Sequence, residues 1–377
     1  MRHGRIVAAV LVALLGALSA CQPTGGPAAG GPRGAATPAS AAARRGPEAS
    51  AATSAPTSGP DTPGPRQTVK VGTVGSFTDA GFAIGIARGY YAQQGLDVVV
   101  ERLDSAARMI PFVSTGQLDV AGGGPSAGLF QALARGVDVR IVADKGSASD
   151  KDSYFCFLVR TALVDSGRVH SEADLRGLTI AAAAPGNSVE LATHRLLAAG
   201  GLSEGDVTFV NMSYQDMHSA LATGRIDVAS TLEPVCAQAV AQGVAVRWRT
   251  TADYHPRQTI AAVFYSPQFA AQTEAATRFM MAYLQGVRDY RRAYLERDAA
   301  LRAQLDPIMA EWTGIDPRVY DGMVLPELAA DGSMNVASIE ELQDFFWQSG
   351  QIPERVDVRR FVDDRFREEA VRRLAAH

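Results

Sequence analysis

Alternation of short strand patterns with helix patterns constrains this chain more than any other feature. Four strand-like runs alternate with helix-like runs from Thr68 to a last strand predicted at Val137–Val142, and the rhythm restarts near Tyr154. Strands separated by helices of about 10–15 residues are typical of βαβ units, and so of a mainly parallel sheet covered by helices. Because the rhythm restarts, the sequence predicts an α/β protein of two lobes.

The run Ile260–Tyr265 resembles a strand that returns from the second lobe to the first. Crossover strands would then join the lobes, with hinges near Asp144–Asp152 and Tyr254–Ile260. The last third is predicted to be helical. Tyr283, Tyr290 and Tyr294 fall at helical spacing in one apolar stripe, which we interpret as core packing, with an aromatic ligand cage as the alternative. The predicted lobes are residues 66–150 plus 259–377, and residues 151–258.

The first 65 residues are predicted to be a signal peptide followed by a disordered tether. Two arginines, a short apolar run and the sequence Leu18-Ser19-Ala20-Cys21 indicate a lipoprotein signal peptide at residues 1–20, with Cys21 lipidated after cleavage. The alternative is an ordinary secretory signal with a chance cysteine. Residues 21–65 are rich in Ala, Pro and Gly and cannot bury enough apolar surface to fold. We therefore expect a lipid-anchored protein on the extracytoplasmic face of the cell membrane.

Composition and motifs argue against several function classes. The 36 basic and 40 acidic residues do not favour a nucleic-acid partner. No zinc spacing, phosphate loop or nucleophile motif occurs and the histidines are scattered, so we predict no metal, no cofactor and no catalytic residue. Cys156 is predicted on a crossover strand and Cys236 in a helix. Export permits a disulfide, but two buried free thiols are expected.

Candidate ligand-binding residues follow from the parallel sheets. Ligands of open α/β sheets bind outside the carboxyl ends of strands, at topological switch points. Several loops at these ends precede helices, whose first N–H groups lack partners and attract carboxylate, sulfonate or phosphate groups. The candidates are Ser76, Phe77, Gly124, Pro125, Ser126, Asn187, Ser188, Tyr214, Thr231 and Glu233.

Several candidates also have a structural interpretation. Asn187 stands three residues before Glu190, the spacing of a capping box that would occupy its side chain. Gly124-Pro125 is also a normal helix start, and Phe77 is either a stacking platform or a core residue. Glu233 in a cleft would repel a small anion and accept hydrogen bonds from a ligand N–H, unless it caps or pairs within the protein.

Five motifs resemble those of a known family. They are Gly89–Val98 (GYYAQQGLDV), Gly116–Ala121 (GQLDVA), Gly136–Val139 (GVDV), Asp174–Ala181 (DLRGLTIA) and Gly224–Ala229 (GRIDVA) followed by Glu233-Pro234. Their order and spacing resemble the SsuA-like family, which groups sulfonate binders with binders of thiamine-precursor pyrimidines.

The resemblance implies a type II periplasmic-binding-protein fold and a solute-binding protein of an ABC importer. Its implied partners are a small-molecule ligand and the permease and ATPase subunits, and we expect a monomer. A receptor that presents its closed form to a membrane kinase would have the same fold. A pyrimidine-synthase-like enzyme is a further alternative, but the histidine donor and cysteine-rich segment of those enzymes have no counterpart in this sequence.

Overall fold

Two five-stranded sheets form the framework of the protein. The structure is a computed structural model that describes residues 66–103 and 105–376, so the predicted signal peptide, the tether and Cys21 lie outside the described residues. The strands are β1 (Gln67–Thr73), β2 (Leu96–Arg102), β3 (Val120–Gly123), β4 (Arg140–Ser147), β5 (Phe155–Arg160), β6 (Thr179–Ala182), β7 (Thr208–Asn211), β8 (Val228–Leu232), β9 (Ala245–Thr250) and β10 (Thr259–Tyr265).

Both sheets are mixed in the same way. In the first sheet β1 pairs in parallel with β2 and β3, and β10 lies antiparallel between β3 and β4. In the second sheet β6 pairs in parallel with β7 and β8, and β5 lies antiparallel between β8 and β9. In each sheet, the strand that enters from the other sheet is the one that runs against the rest. The predicted fold class, with two mainly parallel sheets and crossover strands, is confirmed.

Helices flank both sheets and form most of the chain after β10. A π-helical turn at Arg291–Leu295 continues the longest helix. The helices are α1 (Ala80–Ala87), α2 (Tyr90–Gln93), α3 (Ala106–Thr115), α4 (Ala127–Ala134), α5 (Thr161–Asp165), α6 (Glu190–Ala199), α7 (Tyr214–Ala222), α8 (Val235–Ala241), α9 (Pro267–Ala271), α10 (Thr273–Tyr290), α11 (Ala299–Thr313), α12 (Val336–Gln348) and α13 (Arg365–Ala375).

The fourth strand differs from its prediction. It was expected at 137–142, but β4 begins at Arg140 and continues to Ser147. The apolar pattern ends at Ala143, and the polar residues that follow stay extended because β10 pairs with them as far as Ser147. Tertiary pairing therefore decides where this strand ends.

The tyrosine stripe of α10 packs in the core. Tyr283 and Tyr290 are fully buried, and their hydroxyls donate to Asp144 O at 2.7 Å and Pro326 O at 2.9 Å. α10 lies close against α1 because Gly81 leaves room for the ring of Tyr283, which any added Cβ would meet. The core-packing interpretation of the stripe is therefore confirmed.

Candidate ligand-binding site

The carboxyl edges of the two sheets meet at loops that contain predicted site residues. The Ala127 N–H, at the start of α4, donates to Gly186 O at 3.0 Å. A Cβ added at Gly124 would lie 2.6 Å from the Ser188 hydroxyl oxygen and 2.9 Å from Ile260 O, so a side chain does not fit there. We name this region the inter-sheet crevice. Residues 124–127 and 185–190 meet in it, and we group with them residues 75–79 and 231–233, which follow or end β1 and β8 at the same kind of strand end.

The loop after β3 presents backbone to the crevice. Pro125 is buried, and Ser126 is buried and caps α4 by accepting the Leu129 N–H at 3.3 Å. The interpretation of Gly124-Pro125 as a helix start is thus realised, together with the close approach to Ser188 that the glycines permit.

The loop after β1 uses its side chains internally. The Ser76 N–H donates to Asp79 Oδ2 at 2.8 Å, and the hydroxyls of Ser76 and Thr78 lie 2.8 Å apart. Phe77 is 5% exposed, and its ring packs edge-on against Tyr320 with centroids 4.8 Å apart. Phe77 is therefore a core residue, which was one of its two interpretations.

The loop after β6 also spends its polar side chains on local structure. Asn187 Oδ1 accepts the Val189 N–H at 2.9 Å, and its amide donates to Ala184 O at 2.9 Å. Glu190 Oε2 accepts the Gly186 N–H at 2.5 Å. The capping box expected between Asn187 and Glu190 is therefore replaced by an Asx turn and a separate cap. Ser188 is buried, and its carbonyl accepts a hydrogen bond from the Gln258 amide.

An aromatic cluster lies between the two crossovers. Tyr154 and Phe155 pack with ring centroids 5.1 Å apart, and Phe155 meets Tyr214 edge-on at 5.8 Å. Ile260, at the return crossover, belongs to the same apolar cluster. Burial raises the pKa of Tyr154 and of Tyr214 above the usual range. Tyr154 was not predicted as a site residue, because before folding it reads as one more residue of a strand.

Glu233 is held within the protein. Its carboxylate forms an ion pair with Arg247 on β9 and accepts the N–H groups of Ala237 and Val324, each at 2.9 Å. The structural interpretation of Glu233 therefore describes its contacts. Arg247 is a partner that sequence spacing did not identify. Thr231 is fully buried, and its hydroxyl has no hydrogen-bond partner among residues 66–103 and 105–376.

A buried ion pair links β4, at the edge of the first sheet, to the loop after β1. Lys145 Nζ lies 2.7 Å from Asp79 Oδ1, with side-chain exposures of 1% and 0%, and donates to Thr78 Oγ1 at 2.7 Å. The Trp312 indole N–H donates to Asp79 Oδ2 at 3.2 Å. Sequence reasoning missed this pair. The available signal was the position of Lys145, which is one of only three lysines and lies in a strand that is otherwise buried.

The expectation of two free thiols is wrong. Cys156 and Cys236 form a disulfide, with Cα atoms 6.4 Å apart. β5 pairs with β8, and the chain turns directly from β8 into α8, which packs back over the same face of the sheet. That short turn brings a strand cysteine and a helix cysteine together, although 80 residues separate them.

One cavity adjoins the crossovers, and another overlaps the 185–190 segment of the crevice. The larger, about 450 Å³, is the one at the crossovers and is lined by Asp144, Arg257, Arg291 and Glu327 among others. The smaller, about 160 Å³, lies beside α6, with Asn187, Glu190 and Thr193 in its wall. Among the described residues, three or more His, Cys, Asp or Glu side chains nowhere gather in a metal-binding group. In the same part of the chain, no helix has the length and apolarity needed to cross a membrane.

Sequence comparison identifies the class of this fold. The family model described as NMT1/THI5 like matches residues 76–292, more than half of the chain. The chain therefore belongs to the NMT1/THI5-like family, and the SsuA-like resemblance of its motifs is confirmed. No curated protein matches the sequence closely.

Solved structures share the fold at low sequence identity. The alkanesulfonate-binding protein SsuA from Xanthomonas axonopodis pv. citri, bound to MOPS, has a TM-score of 0.62 and 20% identity, covering 79% of this chain and 98% of its own. The periplasmic nitrate-binding protein NrtA from Synechocystis PCC 6803 has a TM-score of 0.64 and 16% identity, covering 82% and 89%. The desulfurization enzyme DSZB has a TM-score of 0.55 and 15% identity, covering 82% and 100%. These likenesses establish the fold.

Proposed function

We propose that this chain is a membrane-anchored, extracytoplasmic solute-binding lipoprotein that captures a small organic solute for an ABC importer. The observation that carries the proposal is the meeting of the two carboxyl edges, where Gly124 approaches Ser188 across the crevice. Ligands of α/β sheets bind at such edges. The proposed lobes, residues 66–150 plus 259–377 and residues 151–258, close around the solute by motion at the crossovers.

The proposed solute is a sulfonate, a pyrimidine or thiamine precursor, or a related compound. SsuA and NrtA are named for binding alkanesulfonate and nitrate, which supports solute capture as the use of this fold. The proposed activity is binding alone, without catalysis. The enzyme DSZB shares the fold, so turnover has to be tested directly.

A thermal-shift screen tests the proposal. Purified protein is mixed with sulfonates, pyrimidines, riboflavin-like compounds and aromatic acids. A ligand at a hundredfold excess over its Kd adds about 2.7 kcal/mol to the free energy of unfolding. We expect at least one class to raise the melting temperature and to be recovered chemically unchanged. Conversion of the ligand by pure protein, or no shift with any class, would contradict the proposal.

Cys21→Ser tests the proposed anchor. Removing the thiol that would carry the lipid should move the protein from the membrane fraction to the soluble extracytoplasmic fraction. The double variant Cys156→Ala/Cys236→Ala is the matched control and should remain with the membrane. Retention of Cys21→Ser in the membrane fraction would count against lipid anchoring.

A further inference from the structure

The helix starts and loops at the inter-sheet crevice are already capped by the chain itself. Asp79 accepts the Ser76 N–H at 2.8 Å, Glu190 accepts the Gly186 N–H at 2.5 Å, and Glu233 accepts the Ala237 N–H at 2.9 Å. Backbone N–H groups in loops and first turns need a hydrogen-bond acceptor and would otherwise be free to bind an anionic group of a ligand. A carboxylate of the protein occupies each of them.

The remaining helix start at the crevice is satisfied without an anion. The Ala127 N–H donates to Gly186 O at 3.0 Å, and the Leu129 N–H donates to the Ser126 hydroxyl at 3.3 Å. The triple-glycine loop therefore meets backbone and hydroxyl groups of the protein at the place where it would otherwise meet a ligand anion.

Two cations at the crevice, one buried and one partly exposed, are also neutralised. Lys145 pairs with Asp79, and Arg247 pairs with Glu233. Arg102 lies at the rim beside Gly75, where it is exposed, donates to Trp312 O at 2.6 Å and stacks over the Trp312 ring. Water screens an exposed cation far more than a buried one.

Glu190 leaves an excess of negative charge inside the crevice. Its carboxylate accepts hydrogen bonds from the Gly186 N–H and from the Gln351 side-chain amide at 2.7 Å, both neutral donors. His194 lies 4.0 Å away, and it lies closer to Glu204, at 2.9 Å. An anionic solute would therefore be repelled here, whereas a neutral solute would not.

From this arrangement we propose that the crevice takes a solute without net negative charge. The inference rests on the proposed solute-binding function and narrows it by excluding sulfonates and carboxylates. Tyr214 is half-buried edge-on against Phe155, so its ring supplies aromatic surface for a flat, apolar part of the solute. Neutral hydroxyl, amide and heterocyclic N–H groups match the hydroxyl and carbonyl groups of the crevice.

Matched ligand pairs that differ in charge test the inference. Full-length protein in detergent is titrated with benzamide and benzoate, nicotinamide and nicotinate, and benzenesulfonamide and benzenesulfonate. Calorimetry is expected to give at least tenfold tighter binding for the neutral member of a pair that binds. An anion that binds as tightly as its neutral partner would overturn the inference and leave solute binding intact. Absence of binding by either member of every pair would count against the solute-binding function itself, and the inference would fall with it.

A charge-removing variant tests the physical cause. Glu190→Gln keeps an oxygen for the Gly186 N–H and removes the excess charge, so the preference for the neutral member should shrink at least threefold. Glu368→Gln, on α13, removes one negative charge away from the crevice and is the matched control. If both variants keep the wild-type preference, Glu190 is not its cause and the charge argument is refuted. The melting temperature of each variant, measured without ligand, verifies that it is folded.

Discussion

The two sheets repeat one strand order but are stabilised by different means. The orders β2-β1-β3-β10-β4 and β7-β6-β8-β5-β9 both place the entering strand fourth. Around the first sheet, aromatic side chains fill the core, as where Phe82 meets Tyr283 at 5.2 Å. Around the second, the face under α7 and α8 is lined by small residues such as Ala181 and Ala229, and a disulfide crosses it. A shared topology therefore does not dictate how a sheet is stabilised.

The ion pairs differ in the same sense. Lys145 on β4 and Asp79 in the loop after β1 are fully buried, whereas Arg160 and Asp227 beside the second sheet are 26% and 20% exposed at the same 2.7 Å separation. Separating a buried pair leaves a charge without water or partner, and separating a half-exposed pair does not. The two pairs should therefore contribute very differently to stability.

Breaking the buried pair should have the largest effect. Lys145→Met leaves Asp79 charged and buried, and removing one partner of such a pair costs about 3–5 kcal/mol. Arg160→Met is the matched control in the second sheet, where about 1 kcal/mol or less is expected. Urea unfolding followed by circular dichroism measures both. Equal losses of stability for the two variants would refute the claim that burial makes the first ion pair the more important one.

Removing the disulfide should have the next largest effect. Cys156→Ala/Cys236→Ala frees a link across 80 residues, and loss of a native disulfide costs about 2–4 kcal/mol. Reductant should lower the urea midpoint of the wild type and leave the double variant unchanged. Alkylation of the unreduced, denatured protein should leave Cys156 and Cys236 unmodified. Labelling of both residues would show that they do not pair.

The sequence predicts the succession of strands and helices along the chain better than it predicts contacts between distant residues. The continuous apolar run Ile260–Tyr265 predicts β10 to within one residue of its start, because that strand is buried along its whole length. β4 ends where β10 stops pairing with it, and no local pattern shows that. Local periodicity carries the fold class, and long-range pairing sets the boundaries.

The site follows the same division. The rule that ligands bind at strand carboxyl ends places Gly124 and Ser188 in neighbouring loops, and they approach each other across the crevice. The partners of the charged residues lie on other strands: Arg247 on β9 for Glu233, and Lys145 on β4 for Asp79. Neither pairing has a local signature, so sequence spacing left Glu233 open to two interpretations.

The buried carboxyl group of Asp144, in the first sheet, should make the free energy of unfolding depend on pH. Burial raises the pKa of Asp144 from 3.8 to about 6, opposed by hydrogen bonds from Ser147 and Ala329. Between about pH 4 and 6 the folded protein keeps the proton on Asp144, whereas the unfolded chain has released it. The stabilisation of the folded state by protonated Asp144 is therefore full below pH 4 and is lost as pH rises through 6. Relative to Asp144→Asn, the wild type should lose roughly 2–3 kcal/mol between pH 4 and 8. Urea unfolding across that range measures the difference, and parallel pH profiles would contradict it.

Removing a helix cap beside each sheet should give the smallest difference in stability between the two sheets. Ser126 in the first and Ser213 in the second each accept an N–H at 3.3 Å, but Ser126 is 4% exposed and Ser213 is exposed. Ser126→Ala leaves the buried Leu129 N–H without its partner, so about 1–2 kcal/mol should be lost. Ser213→Ala lets the Asp216 N–H turn to water, so about 0.5 kcal/mol is expected. Urea midpoints at unchanged m-value measure both losses. A larger loss for Ser213→Ala would mean that burial does not decide the strength of these caps.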